Sequence, residues 1–211
     1  MFIVIFQYMN YKNVPSESII NKTVESLNKR GFNTVVVSSK EEAKEAALSL
    51  ITKGSEVMTM TSKTLDEVGI AEAINNGSEY VSLKNKLMSM DRTKDSREMQ
   101  EIGAAPSVAI GSVHGVTEDG QIIIASATGS QLPAYAYGAD KVIWVVGAQK
   151  ISSTLDEAMK RLNEYVLPLE SERARIAYGV EGSNVSKLLV MNNEFTPNRI
   201  HVILVKEALG F

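Results

Sequence analysis

Two hydrophobic patterns alternate along the chain. Continuous apolar runs predict strands that are buried on both faces, at 33–37, 56–60, 107–111, 121–125 and 141–146. Between them, apolar residues at helical spacing predict helices over 16–30, 39–52, 65–74, 91–102 and 153–168, and a second, charged helix follows Pro168 through Arg175. This alternation is typical of an α/β fold with a largely parallel sheet.

Two turns are also predicted. Asp119-Gly120 lies between apolar runs and suits a tight turn that requires a positive φ, so 121–125 is a returning hairpin strand. Near the end of the chain, the runs 188–191 and 200–205 flank Pro197-Asn198 and predict a terminal hairpin.

Composition excludes several kinds of site. The 211 residues include no cysteine and two histidines, which excludes disulfides, thiolate zinc sites and a cysteine nucleophile, and we expect no metal site. We also expect no cofactor, and no iron–sulfur cluster held by this chain. With 22 Lys and Arg against 25 Asp and Glu, the net charge is −3, and no basic cluster indicates a nucleic-acid partner.

The segment Met1–Phe6 is apolar, but it lacks the positive region and the cleavage site of a signal peptide and is too short to span a bilayer. We expect a cytoplasmic protein with no membrane span. Residues 1–15 are predicted to form an apolar extension that packs on its own domain or on a neighbour. Residues 16–211 are predicted to form a single domain.

Standard phosphate-loop, dinucleotide-binding and hydrolase motifs are absent, which leaves strand-to-helix junctions as candidate sites. At such junctions, backbone N–H groups and the helix dipole favour an anion. Two junctions are rich in donors: Thr61, Ser62, Lys63 and Thr64 after the second strand, and Thr128, Gly129, Ser130 and Gln131 after the fourth. The alternative at each is that the hydroxyls only cap a helix.

Titratable residues add further candidates. Glu118 would act as a general base or nucleophile if it pointed into a cleft, since burial raises the pKa of a carboxyl group. His114 is either catalytic or a hydrogen-bonded loop residue. Lys150, Arg173 and Arg175 could reach an anionic ligand, or remain solvated surface charges.

A long block of motifs occupies the middle of the chain: GSVHGVTEDGQIIIAS from Gly111, TGSQLPA from Thr128 and GADKVIWVVGAQK from Gly138. YVLPLE follows from Tyr165, and TSKTL lies upstream from Thr61. With these segments the sequence resembles the LUD (lactate utilisation) domain family over residues 16 to 211. The family's usual turn, an acidic residue followed by Thr-Gly-Thr, is replaced here by Glu-Asp-Gly-Gln.

The resemblance implies the fold class of ribose-5-phosphate isomerase, glucosamine-6-phosphate deaminase and CoA transferases. This is an open Rossmann-like sheet with flanking helices and an added β-hairpin part. The resemblance also implies a role in oxidising L-lactate to pyruvate beside partners that carry iron–sulfur clusters. Because this chain has no cysteine, it would be the cluster-free, LutC-like subunit.

Two functions remain open at this point. In the first, the chain binds a small anionic metabolite in organic-acid metabolism through the two donor-rich junctions and Lys150. In the second, it is a free-standing isomerase- or CoA-transferase-like enzyme that acts on a sugar phosphate or an acyl-CoA through Glu118. We favour the first, because no catalytic group stands out. Expected partners are an iron–sulfur subunit and a second copy of the chain.

Overall fold

The computed structural model describes residues 11–211, so residues 1–10, most of the predicted apolar extension, lie outside the described part. The strands of the described part are β1 (Asn33–Val37), β2 (Glu56–Thr59), β3 (Val81–Ser82), β4 (Val108–Gly111), β5 (Gly115–Thr117), β6 (Ile122–Ser126), β7 (Lys141–Gly147), β8 (Ile151–Ser152), β9 (Lys187–Met191) and β10 (Ile200–Val205). Six of them form a sheet in the order β1-β10-β7-β4-β2-β3, in which every neighbouring pair is parallel. The predicted α/β, Rossmann-like class is confirmed.

Helices connect these strands. The α-helices of the described part are α1 (Glu17–Lys29), α2 (Lys40–Ser49), α3 (Lys63–Val68), α4 (Ile70–Asn75), α5 (Leu83–Ser89), α6 (Ser96–Ala104), α7 (Leu155–Arg161) and α8 (Leu167–Tyr178). Ser39 caps α2 by accepting a hydrogen bond from the Glu42 backbone N–H, as the sequence predicts. No helix in residues 11–211 has both the length and the apolar character needed to cross a bilayer.

The position of the central strand β7 between two hydrophobic cores explains why its sequence is apolar throughout. Trp144 and its neighbours two residues away face a core that contains α1 and the second sheet. Ile143 and Val145 face the opposite core, which contains α2, α3 and α4. Because side chains alternate between the two faces of a strand, a strand covered on both sides requires a continuous apolar run.

The second sheet has the order β8-β5-β6-β9 and contains the predicted hairpin. β5 and β6 pair antiparallel, and Gly120 in their turn has φ +84°, so the tight turn with a positive φ is confirmed. The prediction of a terminal hairpin is wrong. β9 pairs with β6, whereas β10 inserts between β1 and β7 of the large sheet. The apolar runs identify both strands, but a run alone does not specify its partner.

The helix predicted over 153–168 also differs from the structure. Helical backbone continues from α7 through a π-helical turn at Leu162–Val166 into α8, and Pro168 lies in the first turn of α8. Proline lacks an N–H and normally ends a helix, but the π turn changes the hydrogen-bond spacing just before it. The helix therefore passes the proline.

We expect Gly120→Ala to destabilise the protein more than Gly54→Ala does. Both glycines have a positive φ, +84° and +83°, so each alanine costs about 1–2 kcal/mol of unfolding free energy in backbone strain. A Cβ on Gly120 would also lie 2.8 Å from the Ser26 carbonyl carbon, whereas nothing lies within 4 Å of one on Gly54. This overlap should add about 1–3 kcal/mol, measured by denaturant unfolding. Equal losses in the two variants would contradict the packing of this turn against α1.

Candidate functional site at the carboxyl edge of the parallel sheet

The side of the large sheet on which the chain adds its next strand reverses between β2 and β4. From β2 the chain continues to β3 on one side, and from β4 it continues through β5 and β6 to β7 on the other. Open α/β sheets bind ligands in the crevice at the carboxyl ends of the strands where the direction reverses. The segments that follow β2 and β4 therefore border the crevice in which a ligand site is expected.

Lys150 joins the segments at this point. It follows β7 in a single 3₁₀ turn and is 2 % exposed. Its Nζ donates to Thr64 Oγ1 and to Ser112 Oγ, both at 3.0 Å, and to the Val113 carbonyl oxygen at 3.2 Å. None of the ion pairs among residues 11–211 includes Lys150. Its charge is thus solvated by hydroxyl and carbonyl oxygens.

Burial is the main cause of an altered pKa at this lysine. Desolvation, helped by the positive charge of Arg161, lowers the pKa of Lys150 to about 7, and Glu67 opposes the shift. Near neutral pH the amine therefore exists in both its charged and its neutral form. Such a buried, shifted group is a marker of functional sites.

Arg161 is a second buried cation in the same region. It is 1 % exposed, and its Nη1 donates to the His114 carbonyl oxygen at 3.0 Å. Its Nε and Nη2 have no hydrogen-bond partner among the described residues. Burial lowers the pKa of Arg161 to about 10, so the guanidinium remains charged at neutral pH.

His114 is neutral because of these surroundings. Its Nδ1 accepts a hydrogen bond from the Ala125 backbone N–H at 3.1 Å, as in the structural alternative of the sequence analysis. Burial and then the charges of Lys150 and Arg161 lower the pKa of His114 to about 3. The ring thus carries its proton on Nε2 and adds no positive charge to the site.

The first donor-rich junction is divided between two roles. Thr64 is buried beside Lys150, and its Oγ1 also contacts the Leu209 carbonyl oxygen at 3.3 Å. Ser62 caps α3, and the exposed Lys63 pairs with Glu67 at 4.0 Å. Thr61 is exposed just before them. The structure therefore brings Thr64 together with Lys150, whereas Ser62 has the capping role that the sequence left as an alternative.

The second junction makes its hydrogen bonds locally. Gln131 Oε1 accepts a hydrogen bond from the Ser126 hydroxyl, and Gln131 Nε2 donates one to the Ala125 carbonyl oxygen. The Gly129 N–H donates to Ser126 Oγ. Thr128 donates to Ser130 at 3.1 Å. The side-chain hydrogen bonds of Thr128–Gln131 thus stay within this loop and the end of β6, and none of them reaches Lys150.

The other charged candidates are paired. Glu118 accepts a hydrogen bond from Lys22 on α1 at 2.9 Å. Arg173 forms a forked ion pair with Glu170, and Arg175 pairs with Glu172. These partners occupy the charges of Glu118, the candidate base or nucleophile, and of the two arginines that were candidates for binding an anion.

Sequence reasoning missed Ser112 and Arg161. Ser112 directly follows β4, as Thr61 and Ser62 follow β2, so its position was an available signal. Arg161 lies in the apolar stripe of α7 with Ala158 and Leu162, both buried. A charge in such a stripe is unusual in a soluble helix and could have marked the residue.

Comparison with known proteins agrees with this fold. The family model described as LUD domain matches residues 20–205. The chain belongs to the LUD domain family. The crystal structure of a DUF162 family protein from Deinococcus radiodurans is similar over 90 % of this chain and 99 % of that one, with a TM-score of 0.55 and 15 % sequence identity. No curated protein sequence matches this one.

A second solved structure is more distant. The crystal structure of eIF2B beta from Chaetomium thermophilum has a TM-score of 0.38 and 12 % identity, and the match covers 64 % of this chain and 47 % of that one. Residues 20–205, which the LUD domain model matches, include Thr64, Ser112, Lys150 and Arg161. Tyr11 and Leu209, which also border the region, lie outside this range.

We expect NMR titration to separate the two histidines of this LUD domain. The His201 signals should shift at a higher pH than those of His114, whose pKa is lowered to about 3 by burial and two cations. Since the folded-state pKa is below the ordinary value of 6.5, stability contributed by neutral His114 is lost as the pH falls from about 6.5 to about 3. Titration of His114 at or above the pH of His201 would contradict this environment.

Proposed function

We propose that this LUD domain binds a small anionic metabolite of organic-acid metabolism at the carboxyl edge of its parallel sheet. The observation that carries the proposal is the pair of buried cations, Lys150 and Arg161. Neither takes part in an ion pair among the described residues. A bound anion would supply the missing charge.

The cost of burying charge supports this proposal. An ionised group buried without an opposite charge loses hydration energy that hydrogen bonds to neutral oxygens only partly replace. The lowered pKa of Lys150, about 7, reflects that cost. An anion beside the amine would favour its charged form, and the hydroxyls of Thr64 and Ser112 would orient both groups.

The family suggests which anions to test first. LUD stands for lactate utilisation, and L-lactate and pyruvate are both small monocarboxylates. We further propose that the chain acts as a cluster-free subunit beside an iron–sulfur partner, since it has no cysteine to hold a cluster. In this arrangement, electron transfer belongs to the partner and this chain binds and positions the metabolite.

Replacing Lys150 should abolish tight binding. We expect Lys150→Met to weaken the binding of the best ligand among lactate, pyruvate, a sugar phosphate and CoA by about tenfold or more. The Lys150 N–H donors are already used by Thr64, Ser112 and Val113, so the expected loss is that of the charge. The attraction between two unit charges about 4–8 Å apart at an effective dielectric constant of about 20 is about 2–4 kcal/mol. Isothermal titration calorimetry measures the dissociation constants, and Lys53→Met, which removes an exposed amine paired with Glu79, is the matched control. If Lys150→Met is folded and binds the ligand as tightly as wild type does, the role of Lys150 is overturned.

The affinity should also depend on pH through this amine. Protonated Lys150 attracts an anion and neutral Lys150 does not, so affinity should fall as the pH rises from 6 to 8, through the pKa of about 7. Lys150→Met should lose this dependence, while Lys53→Met keeps it. Calorimetry at constant ionic strength makes the comparison, and a flat wild-type profile would argue against an anion beside the amine.

A further inference from the structure

The edge of the Arg161 guanidinium formed by Nε and Nη2 is a second feature of the site, separate from the Lys150 amine. Nη1 is used by the His114 carbonyl oxygen, which leaves Nε and Nη2 without a partner among the described residues. Nε–H and one Nη2–H point in nearly the same direction, so together they form a two-donor fork. This fork matches the spacing of the two oxygens of a carboxylate.

The surroundings of Arg161 fix the guanidinium in place. Its central carbon lies 5.2 Å from the centroid of the Tyr165 ring, and that ring packs against Tyr11 with centroids 5.4 Å apart. Ala158 and Leu162, its neighbours on the helix, are buried. An arginine held by a cation–π contact and one hydrogen bond presents its remaining donors in a defined direction.

A cleft of about 280 Å³ borders this arginine. Its other walls include Tyr11, Asn13, Ser152 and Ser153, and Glu157 lies one helical turn before Arg161 on the same side. Ligand pockets for drug-sized molecules span about 300–1,000 Å³, so this cleft suits a metabolite of a few carbon atoms and not a whole CoA. The hydroxyl and amide groups supply further hydrogen bonds to a polar ligand.

Charge further limits the ligand. Arg161 supplies one positive charge to the cleft, whereas Glu157 supplies a negative one at its wall. A ligand with a single carboxylate satisfies the fork without strong repulsion, and a dianionic phosphate or dicarboxylate places its second charge near Glu157. A hydroxyl on the ligand can donate to the Glu157 carboxylate.

We propose that Arg161 binds the carboxylate of a small monocarboxylic acid through its Nε and Nη2, and that Glu157 disfavours ligands with a second negative charge. This inference rests on the proposed function and names the subsite and the ligand class within it. Asn13, Ser152 and Ser153 then contact the body of the acid. Lys150 and Arg161 thereby have separable roles, because Lys150 is bonded to Thr64 and Ser112, whereas Arg161 lies in the wall of the cleft.

The test compares Arg161→Lys, which keeps the charge but loses the fork, with Arg173→Lys as the matched control on the neighbouring helix. Calorimetry with lactate and pyruvate should show at least tenfold weaker binding for Arg161→Lys and an unchanged affinity for Arg173→Lys. Arg161→Gln, checked by circular dichroism and thermal unfolding, gives a second estimate if the lysine variant folds poorly. Unchanged affinity in folded Arg161 variants would overturn the inference.

Glu157→Gln tests the selectivity. The affinity for a dicarboxylate such as malate should rise relative to that for lactate by about fivefold or more, because the repelling charge is removed. An unchanged ratio would overturn the role of Glu157. If wild type binds a monocarboxylate and only Lys150→Met weakens it, this inference fails while the proposed function stands. If wild type binds no member of the panel, both fail.

Discussion

The hydrogen bonds of one buried amine hold the candidate site together. Lys150 Nζ reaches Thr64 after β2, and Ser112 and Val113 after β4, from its own position after β7. These strands are neighbours in the sheet at the point where the strand order changes direction. The three segments thus depend on a charge that protein oxygens solvate and no carboxylate of residues 11–211 neutralises within ion-pair distance.

The electrostatics of the region follow from this constraint. Arg161 adds to the cost of charging Lys150, and burial, followed by the charges of both cations, keeps His114 neutral. Only Glu67 opposes the shift of Lys150 among the causes that act on its pKa, and it also accepts a hydrogen bond from the Gly210 N–H at 2.7 Å. In a protein of net charge −3, Lys150 and Arg161 are thus buried with no ion pair among residues 11–211, and Glu67 and Glu157 lie near them.

Part of this architecture was predictable from the sequence. The apolar runs predict β7 as a strand covered on both faces and identify β10 as a strand, and Asp119-Gly120 predicts the hairpin turn. The pairing of β10 with β1 and β7 was not predictable, because periodicity indicates burial but does not indicate which strands pair. The passage of the helix beyond Pro168 depends on a π turn for which the sequence carries no simple signal.

The candidate site divides in the same way. Thr64 and Lys150 both follow apolar strands, and parallel strands bring their carboxyl ends to one edge, so their meeting follows from the predicted class. Arg161 lies at the end of α7, which follows β8 of the second sheet. Its hydrogen bond to the His114 carbonyl oxygen depends on how α7 packs against that sheet. Glu118 and Thr128–Gln131 are placed by the β5–β6 hairpin, whose orientation the sequence does not specify.

The pKa of the Lys150 amine shows whether an anion binds beside the buried charge. It can be measured by NMR on protein with ¹³C-labelled lysine, using Lys150→Met to assign the signal, with and without a saturating monocarboxylate. We expect a pKa of about 7 for Lys150 in the free protein and a clear rise when the anion is bound. A pKa near the ordinary value of 10.5, or one that does not change on saturation with a bound ligand, would contradict it.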